Sequence, residues 1–274
     1  MAQRVGTGLG RWWATLLRRL GNVRGVRAPS QPGRPFIRRR WNTTELQFAR
    51  DVAQSRMLTF APDRLLVDYT RTMLGALVLV PRPRSIGMVG LGGGSQAKFC
   101  YRHLPDARIE VVDNNAQVIA LRRKFRIPDD DARFHVFLDD GARWLKAGRA
   151  HFDLLLVDGY DLSGIPAALS SQQFYDDCRA ALTEGGVMAV NLYCDDTQRH
   201  IDRLRHSFGR RHVAVVEETR QTNCVAWAWV GTPAPAAAPM ALSAAGQREL
   251  AASFACMRAL IPRELASQYG DGPQ

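Results

Sequence analysis

Between residues 85 and 195, short apolar runs alternate with longer segments in which apolar residues recur every three or four positions. The short runs predict buried strands, and the longer segments predict helices that cover them. The predicted strands are 85–90, 108–113, 133–138, 152–158 and 186–192, and the predicted helices are 95–103, 115–124, 140–147 and 171–183. Because strands that alternate with helices run parallel, the pattern predicts an α/β fold with a mostly parallel sheet.

The regions on either side of this core are simpler. Apolar segments at 213–218 and 223–230, joined by a polar turn, predict an antiparallel hairpin that closes the sheet. Upstream, short strands at 46–49 and 57–60 and a buried helix over 65–79 predict a small lead-in unit. The chain therefore divides into an extension (1–40), the lead-in unit (41–82), the α/β domain (83–231), and an Ala/Pro linker with a C-terminal helix (232–274).

The net charge of +11 belongs to the start of the chain. Residues 1–40 contain ten arginines and no acidic residue, whereas the remainder carries 27 basic and 26 acidic side chains. A nearly neutral body argues against a specific nucleic-acid-binding surface. Apolar residues of the extension share one helical face: Leu9, Trp12, Trp13, Leu16, Leu17 and Leu20. The extension is therefore either an amphipathic helix or a disordered segment whose aromatics pack on the body. A helix of this kind suits an anionic membrane surface, an anionic partner or organellar targeting.

The five cysteines are widely spaced, and no Cys or Cys/His spacing matches a metal site. They are expected to be reduced, buried thiols, and no metal cofactor is expected. No apolar run reaches the ~18–20 residues that span a bilayer. These features predict a cytoplasmic protein that reaches the periphery of a membrane only through residues 1–40.

The candidate chemistry begins at the end of the first core strand. A run of glycines follows this strand, and Asp113 ends the second strand. Glycines let the backbone approach a nucleoside, and a strand-end carboxylate accepts hydrogen bonds from ribose hydroxyls. The candidate cofactor-binding residues are therefore Gly90, Gly92, Gly94 and Asp113. The segment after the loop lacks the Gly-Lys-Ser/Thr of a P-loop, which argues against nucleoside triphosphate hydrolysis.

Acids also follow the third and fourth strands, and the carboxyl ends of neighbouring parallel strands meet at one edge of a sheet. Asp140, which precedes Gly141, could accept a hydrogen bond from an adenine amino group, and Asp158 and Asp161 flank Tyr160. A single acid at such a place is often a helix cap, but acids at three consecutive strand ends beside a glycine loop indicate a ligand site. NAD remains open on the loop alone, although the second acid pair suits a cationic ligand better than a nicotinamide.

In their order these features resemble the polyamine aminopropyltransferases, the spermidine synthase family, which share the Rossmann-like class I S-adenosylmethionine-dependent methyltransferase fold. The resemblance covers roughly residues 42–230. The matching motifs are the glycine run Gly90 to Gly94, the ribose-binding acid at Asp113, the adenine-binding pair Asp140-Gly141, and the catalytic segment Asp158-Gly-Tyr-Asp161 with Pro166.

The resemblance implies aminopropyl transfer from decarboxylated S-adenosylmethionine, a co-substrate, to an amine, either putrescine or an altered acceptor. The amine would attack the methylene carbon beside the sulfonium and release methylthioadenosine, after a carboxylate has taken its proton. By this resemblance Asp158 is the base, and Asp161 is a second catalytic acid that binds the cationic acceptor. Tyr160, between them, either binds the acceptor through a cation–π face or packs its ring over the strand ends. The family also implies a homodimer.

Two stretches depart from the family pattern. Members usually carry an acid within the glycine loop, where this chain has Gly93-Gly94-Ser95, and a Tyr-His-Glu element, where it has Thr70-Arg71-Thr72. Arg71 would repel a diamine. Two alternatives to aminopropyl transfer therefore stay open: a methyltransferase that uses intact S-adenosylmethionine, and a nucleoside-binding member that has lost catalysis.

Overall fold

The computed structural model describes residues 34–49, 52–147, 152–161, 164–218, 223–232 and 239–269. The predicted amphipathic face of the extension lies outside these ranges. Within them, no helix is both long and apolar enough to cross a membrane.

A three-stranded antiparallel sheet precedes the core. Its strands, in spatial order, are β1 (Phe36–Arg40), β2 (Thr43–Ala49) and β3 (Val52–Leu58). β1 is a correction, because residues 36–40 were expected in the arginine-rich extension and instead pair with β2. Charged side chains suit an edge strand, since they oppose pairing with another sheet. The strands predicted at 46–49 and 57–60 also begin earlier than expected.

The predicted buried helix connects this small sheet to the core. It consists of helix α1 (Asp68–Leu74) and a 3-10 turn (Gly75–Val78). Met73 and Leu74 are fully buried, and α1 packs on two strands of the main sheet. The prediction over 65–79 is therefore confirmed at its centre.

The main sheet has seven strands in the described residues. They are β4 (Ser85–Val89), β5 (Arg108–Asp113), β6 (Phe134–Leu138), β7 (Phe152–Val157), β8 (Leu182–Leu192), β9 (Val213–Glu218) and β10 (Asn223–Trp229). The spatial order is β6-β5-β4-β7-β8-β10-β9. The pairings from β6 to β8 are parallel, and β10 runs antiparallel to both β8 and β9. The mostly parallel sheet with a closing hairpin is thus confirmed.

Seven further α-helices lie in the described residues. They are α2 (Ser95–His103), α3 (Ala116–Ala120), α4 (Gly141–Ala147), α5 (Gln172–Ala180), α6 (Thr197–Phe208), α7 (Ala244–Glu249) and α8 (Ala251–Tyr269). The predicted end of α5 at residue 183 and the predicted start of β8 at 186 differ from these bounds. Both limits are wrong because the Phe152 N–H donates to the Ala181 carbonyl at 2.8 Å, so the chain joins the sheet at once. The pattern does not predict helix α6, and the predicted helix 115–124 consists of α3 followed by a 3-10 turn (Arg122–Phe125).

The order of the strands fixes where a ligand can enter. Strands β4 and β7 are neighbours, but the chain leaves β4 toward β5 on one side and leaves β7 toward β8 on the other. Phe99 of α2 belongs to the core on one face of the sheet, and Phe174 of α5 belongs to the core on the opposite face. A crevice opens at such a switch point, at the carboxyl ends of the strands.

Candidate active site

A cavity of about 500 Å³ occupies this switch point. Its walls come from the loops after β4, β5, β6 and β7, together with β3 and α1. The predicted site residues that line it are Gly90, Gly92, Asp113, Asp140, Gly141, Asp158, Tyr160 and Asp161. Gly94 is not among the lining residues, although it was predicted to bind a cofactor. The structure therefore brings together residues from four separate strand ends.

The glycine loop fits closely against its surroundings. Gly90 has φ +97° and donates its N–H to the Val112 carbonyl at 2.8 Å. A Cβ at this position would overlap the carbonyl oxygen of Asp158, so only glycine lets β4 turn here beside β7. Gly94, at φ 63°, starts α2 from behind the loop, where a Cβ would lie 2.5 Å from Ile127 Cγ1.

Strand β3 of the small sheet covers the middle of the loop. A Cβ on Gly93 would overlap the Ser55 hydroxyl, and Ser55 itself lines the cavity. A side chain at position 93, where the family pattern of the sequence analysis would have an acid, could therefore fit only if Ser55 moved. Gln54 and Ser55 supply uncharged polar groups on this side of the cavity instead.

Asp113 is held by the main chain. Its Oδ2 accepts the N–H of Leu91 at 2.8 Å, and its Oδ1 accepts the N–H of Asn115 at 2.8 Å. Burial raises the pKa of this carboxyl, while the backbone N–H groups act in the opposite direction. Each carboxylate oxygen has a second lone pair, so Asp113 can still accept hydrogen bonds from a ligand.

Asp140 has two roles in the structure. Its Oδ1 accepts the Arg143 N–H at 3.0 Å, which caps α4, and its side chain also lines the cavity. Arg143 pairs with the neighbouring Asp139. Gly141 keeps the start of α4 against β4, since a Cβ there would lie 2.5 Å from Val89 Cγ1. The helix cap and the ligand site are therefore compatible at this strand end.

Asp158 is held by side chains. The Tyr69 hydroxyl donates to its Oδ2 at 2.9 Å, and the Asn191 amide Nδ2 donates to its Oδ1 at 2.9 Å. Loss of water around the group raises the pKa of the Asp158 carboxyl, although both hydrogen bonds favour the ionised form. A carboxylate with a raised pKa is a stronger proton acceptor than one in water.

Tyr160 and Asp161 complete the wall beside Asp158. The Tyr160 hydroxyl donates to the Asn191 carbonyl at 2.6 Å and accepts the Tyr193 N–H at 2.6 Å. Burial raises the pKa of this phenol well above its ordinary value of 10.0, so it stays neutral. Asp161 is more exposed, and its N–H donates to the Gly164 carbonyl at 2.9 Å.

Tyr69 and Asn191 are not among the residues that the sequence predicts for the site. Tyr69 lies one residue before the stretch that was compared with Tyr-His-Glu, and it reaches Asp158 from α1 across 89 positions of sequence. Arg71, expected to repel a diamine, instead donates to Asp68 and to the Leu65 carbonyl and is not a cavity-lining residue. No local pattern marks these two partners; only the packing of α1 and β8 against the end of β7 does.

The charge of the cavity has one sign. The described residues that line it include four aspartates and no lysine, arginine or histidine. The aspartates are Asp113, Asp140, Asp158 and Asp161. A low-dielectric cleft of this kind concentrates cations. It can hold a nucleoside that bears a positive charge together with a protonated amine.

Comparison with known proteins gives concordant matches. A family model described as spermine/spermidine synthase domain matches residues 68–205. A polyamine aminopropyltransferase of Neisseria meningitidis is 36% identical over 197 residues, which cover 70% of this chain and 75% of the relative. One from Chromobacterium violaceum is 37% identical over 181 residues, or 65% of this chain and 69% of the relative.

A solved structure shows the same fold. It is described as a probable spermidine synthase from Corynebacterium glutamicum, with a TM-score of 0.62 at 19% identity, covering 71% of this chain and 76% of that one. This likeness places the chain in the Rossmann-like class I methyltransferase fold, as the sequence predicted.

Proposed function

We propose that this chain, which belongs to the spermine/spermidine synthase family and is an aminopropyltransferase of that family, uses decarboxylated S-adenosylmethionine as its donor. The proposed acceptor is a small amine. Putrescine, or an altered amine in its place, is the acceptor that the family resemblance implies. The observation that carries the proposal is the partly buried Asp158, which accepts hydrogen bonds from two uncharged donors. It lies in a cavity whose charged side chains, among the described residues, are all aspartates.

The donor would lie along the glycine loop. Asp113 would accept hydrogen bonds from the ribose hydroxyls, and Asp140, beside Gly141, would accept one from the adenine amino group. Gly90 and Gly92 allow the backbone to approach the nucleoside, and Gly94 supports the loop from behind. The four aspartates favour the positive charge on the sulfur of the donor.

The acceptor would bind between Asp158 and Asp161. An ammonium has no lone pair, so it must lose a proton before its nitrogen can attack. Asp158 takes that proton, the nitrogen forms a bond to the methylene carbon, and the bond from that carbon to sulfur breaks. Methylthioadenosine leaves as the second product. Asp161 and the face of Tyr160 hold the rest of the cationic acceptor.

Three further properties are proposed on the same basis. The α/β domain, 83–231, carries the reaction, and the chain forms a homodimer by analogy with the family. The arginine-rich extension holds an otherwise cytoplasmic protein at an anionic membrane surface. Deletion of residues 1–33 is expected to weaken sedimentation with anionic vesicles without changing donor affinity, and equal sedimentation of both forms would reject this role.

Calorimetric titration tests the donor. The purified chain is titrated separately with methylthioadenosine, decarboxylated S-adenosylmethionine, intact S-adenosylmethionine and NAD. The proposal predicts that the first two bind. Tight binding of intact S-adenosylmethionine alone would favour a methyltransferase, and binding of NAD alone would reject the assignment of the cavity.

A further inference from the structure

A pair of amides lies directly behind Asp158. Asn191, near the end of β8, and Asn223, the first residue of β10, are 4% and 9% exposed, and neither lines the cavity. Asn191 Nδ2 donates to Asp158 Oδ1 at 2.9 Å, and Asn223 Nδ2 donates to Asn191 Oδ1 at 2.9 Å. Asn223 therefore reaches Asp158 only through Asn191.

The register of the sheet makes this arrangement specific. β8 and β10 run antiparallel, with Asn191 opposite Val225. Asn223 lies two residues before Val225 and so on the same face, which makes it a diagonal neighbour of Asn191. Cys224, which lies between Asn223 and Val225 in β10, belongs to the core on the opposite face of the sheet. The pairing of the two strands thus brings these two amides together.

The chain of hydrogen bonds has one direction. An ionised carboxylate can only accept, so Asn191 must present its NH₂ group to Asp158. Its carbonyl oxygen then points to Asn223, which must present an NH₂ group in turn. If Asn191 turned over, its carbonyl oxygen would face the carboxylate, and the protonated form of Asp158 would be favoured. Asn223 opposes this turn because its NH₂ group holds the carbonyl oxygen.

We propose that Asn223 is a positioning residue for the reaction: by fixing the amide orientation of Asn191, it keeps Asp158 Oδ1 in place and in its ionised, proton-accepting form. The inference rests on the proposed function for its catalytic consequence. Its physical content, the control of the protonation of Asp158 by Asn223 through Asn191, does not depend on which substrates are used.

Other ionisable groups share the surroundings of Asp158 and must be constant in the test. Tyr69 donates to its second oxygen, and burial raises the pKa of Tyr69 and of Tyr160 well above 10.0, so both stay protonated. Asp161, Asp113 and Asp140 line the same cavity. None of these side chains is altered in the variants below.

A double-variant cycle tests this relay, the hydrogen-bonded series from Asn223 through Asn191 to Asp158. The titration of the Asp158 carboxyl is followed by carbon-13 NMR in wild type, Asn223→Ala, Asn191→Leu and the double variant, with the resonance assigned by its loss in Asp158→Asn. We expect Asn191→Leu to move the titration to higher pH, because the carboxylate loses a donor, and Asn223→Ala to move it less in the same direction. Asn223→Ala should have no further effect in the Asn191→Leu background.

The outcomes are separable. Cys224→Ala, a change in the next residue of β10 that faces the opposite core, should leave the titration where it is in wild type. Additive shifts in the double variant, or no shift with Asn223→Ala, would overturn the relay. If Asn191→Leu does not fold, Asn191→Ala takes its place in the cycle.

Kinetics then connects the relay to catalysis. On the acidic limb of the wild-type kcat–pH profile, kcat for aminopropyl transfer should be about tenfold lower in Asn223→Ala. The difference should disappear as the pH rises, and the donor KM should be unchanged. A fall that is equal at every pH would mean a structural role and would overturn the inference. A wild type that transfers no aminopropyl group would reject the proposed function, and the NMR cycle would still decide the relay.

Discussion

Two aspartates of the cavity follow strands of the same sheet, β5 and β7, which lie on either side of β4, yet they are held in different ways. Asp113 accepts the backbone N–H groups of Leu91 and Asn115, whereas Asp158 accepts the side chains of Tyr69 and Asn191. A backbone donor is present whatever the side chain, and a side-chain donor can be lost by one substitution. In the proposed reaction, the aspartate on the donor side is thus held by the main chain, and the aspartate on the acceptor side is held by distant side chains.

Asp158→Asn is expected to have the largest effect and to separate the two sides. The amide cannot take the proton of the acceptor, so kcat should fall by about 100-fold to 10,000-fold. Methylthioadenosine affinity, measured by calorimetry, should stay at the wild-type value because Asp113 and the glycine loop are untouched. A parallel loss of affinity would show that the two sides are not independent.

Gly90→Ala disturbs the contact between the glycine loop and the main chain at Asp158. A side chain there adopts φ +97° and meets the Asp158 carbonyl, so we expect unfolding free energy to fall by at least ~2 kcal/mol in denaturant titrations. Gly92→Ala is the matched control. Its φ is +49° and its Cβ has no atom within 4 Å, so the fall should be about 1 kcal/mol. Equal effects would mean that the contact with Asp158 is unimportant for stability.

Asp113→Asn weakens the donor side alone. The amide can accept only through one atom, and hydrogen bonds to a charged group contribute about 1.5–3 kcal/mol. Affinity for methylthioadenosine, measured by calorimetry, should therefore fall roughly 10-fold to 100-fold. Putrescine affinity should change little. Unchanged methylthioadenosine affinity would remove Asp113 from the site.

The smallest effect concerns folding stability and pH. The pKa of Asp158 is raised in the folded protein, so its ionised form opposes folding. This cost is absent below the ordinary pKa of a carboxyl and grows as pH rises through the raised value. Asp158→Asn should therefore raise Tm at about pH 8 and leave it unchanged at about pH 3. The same shift in Tm at both pH values would contradict this cause.

The same contrast explains what the sequence could predict. The glycine loop, Asp113 and the helix cap at Asp140 are marked by their residue types at the ends of predicted strands, so a local pattern reveals them, although the Leu91 N–H that Asp113 accepts is 22 positions away. Tyr69 is 89 positions and Asn191 is 33 positions from Asp158, and their roles follow from the sheet order and the packing of α1. Strand β1 was missed for a different reason, since its arginines obscure the alternation of an edge strand.

The central claim is that this cavity transfers an aminopropyl group. The most direct test incubates the full-length chain with decarboxylated S-adenosylmethionine and putrescine and measures release of methylthioadenosine by chromatography. The account predicts release that requires both substrates and is lost in Asp158→Asn. No release from the decarboxylated donor, with S-adenosylhomocysteine formed from intact S-adenosylmethionine instead, would contradict it.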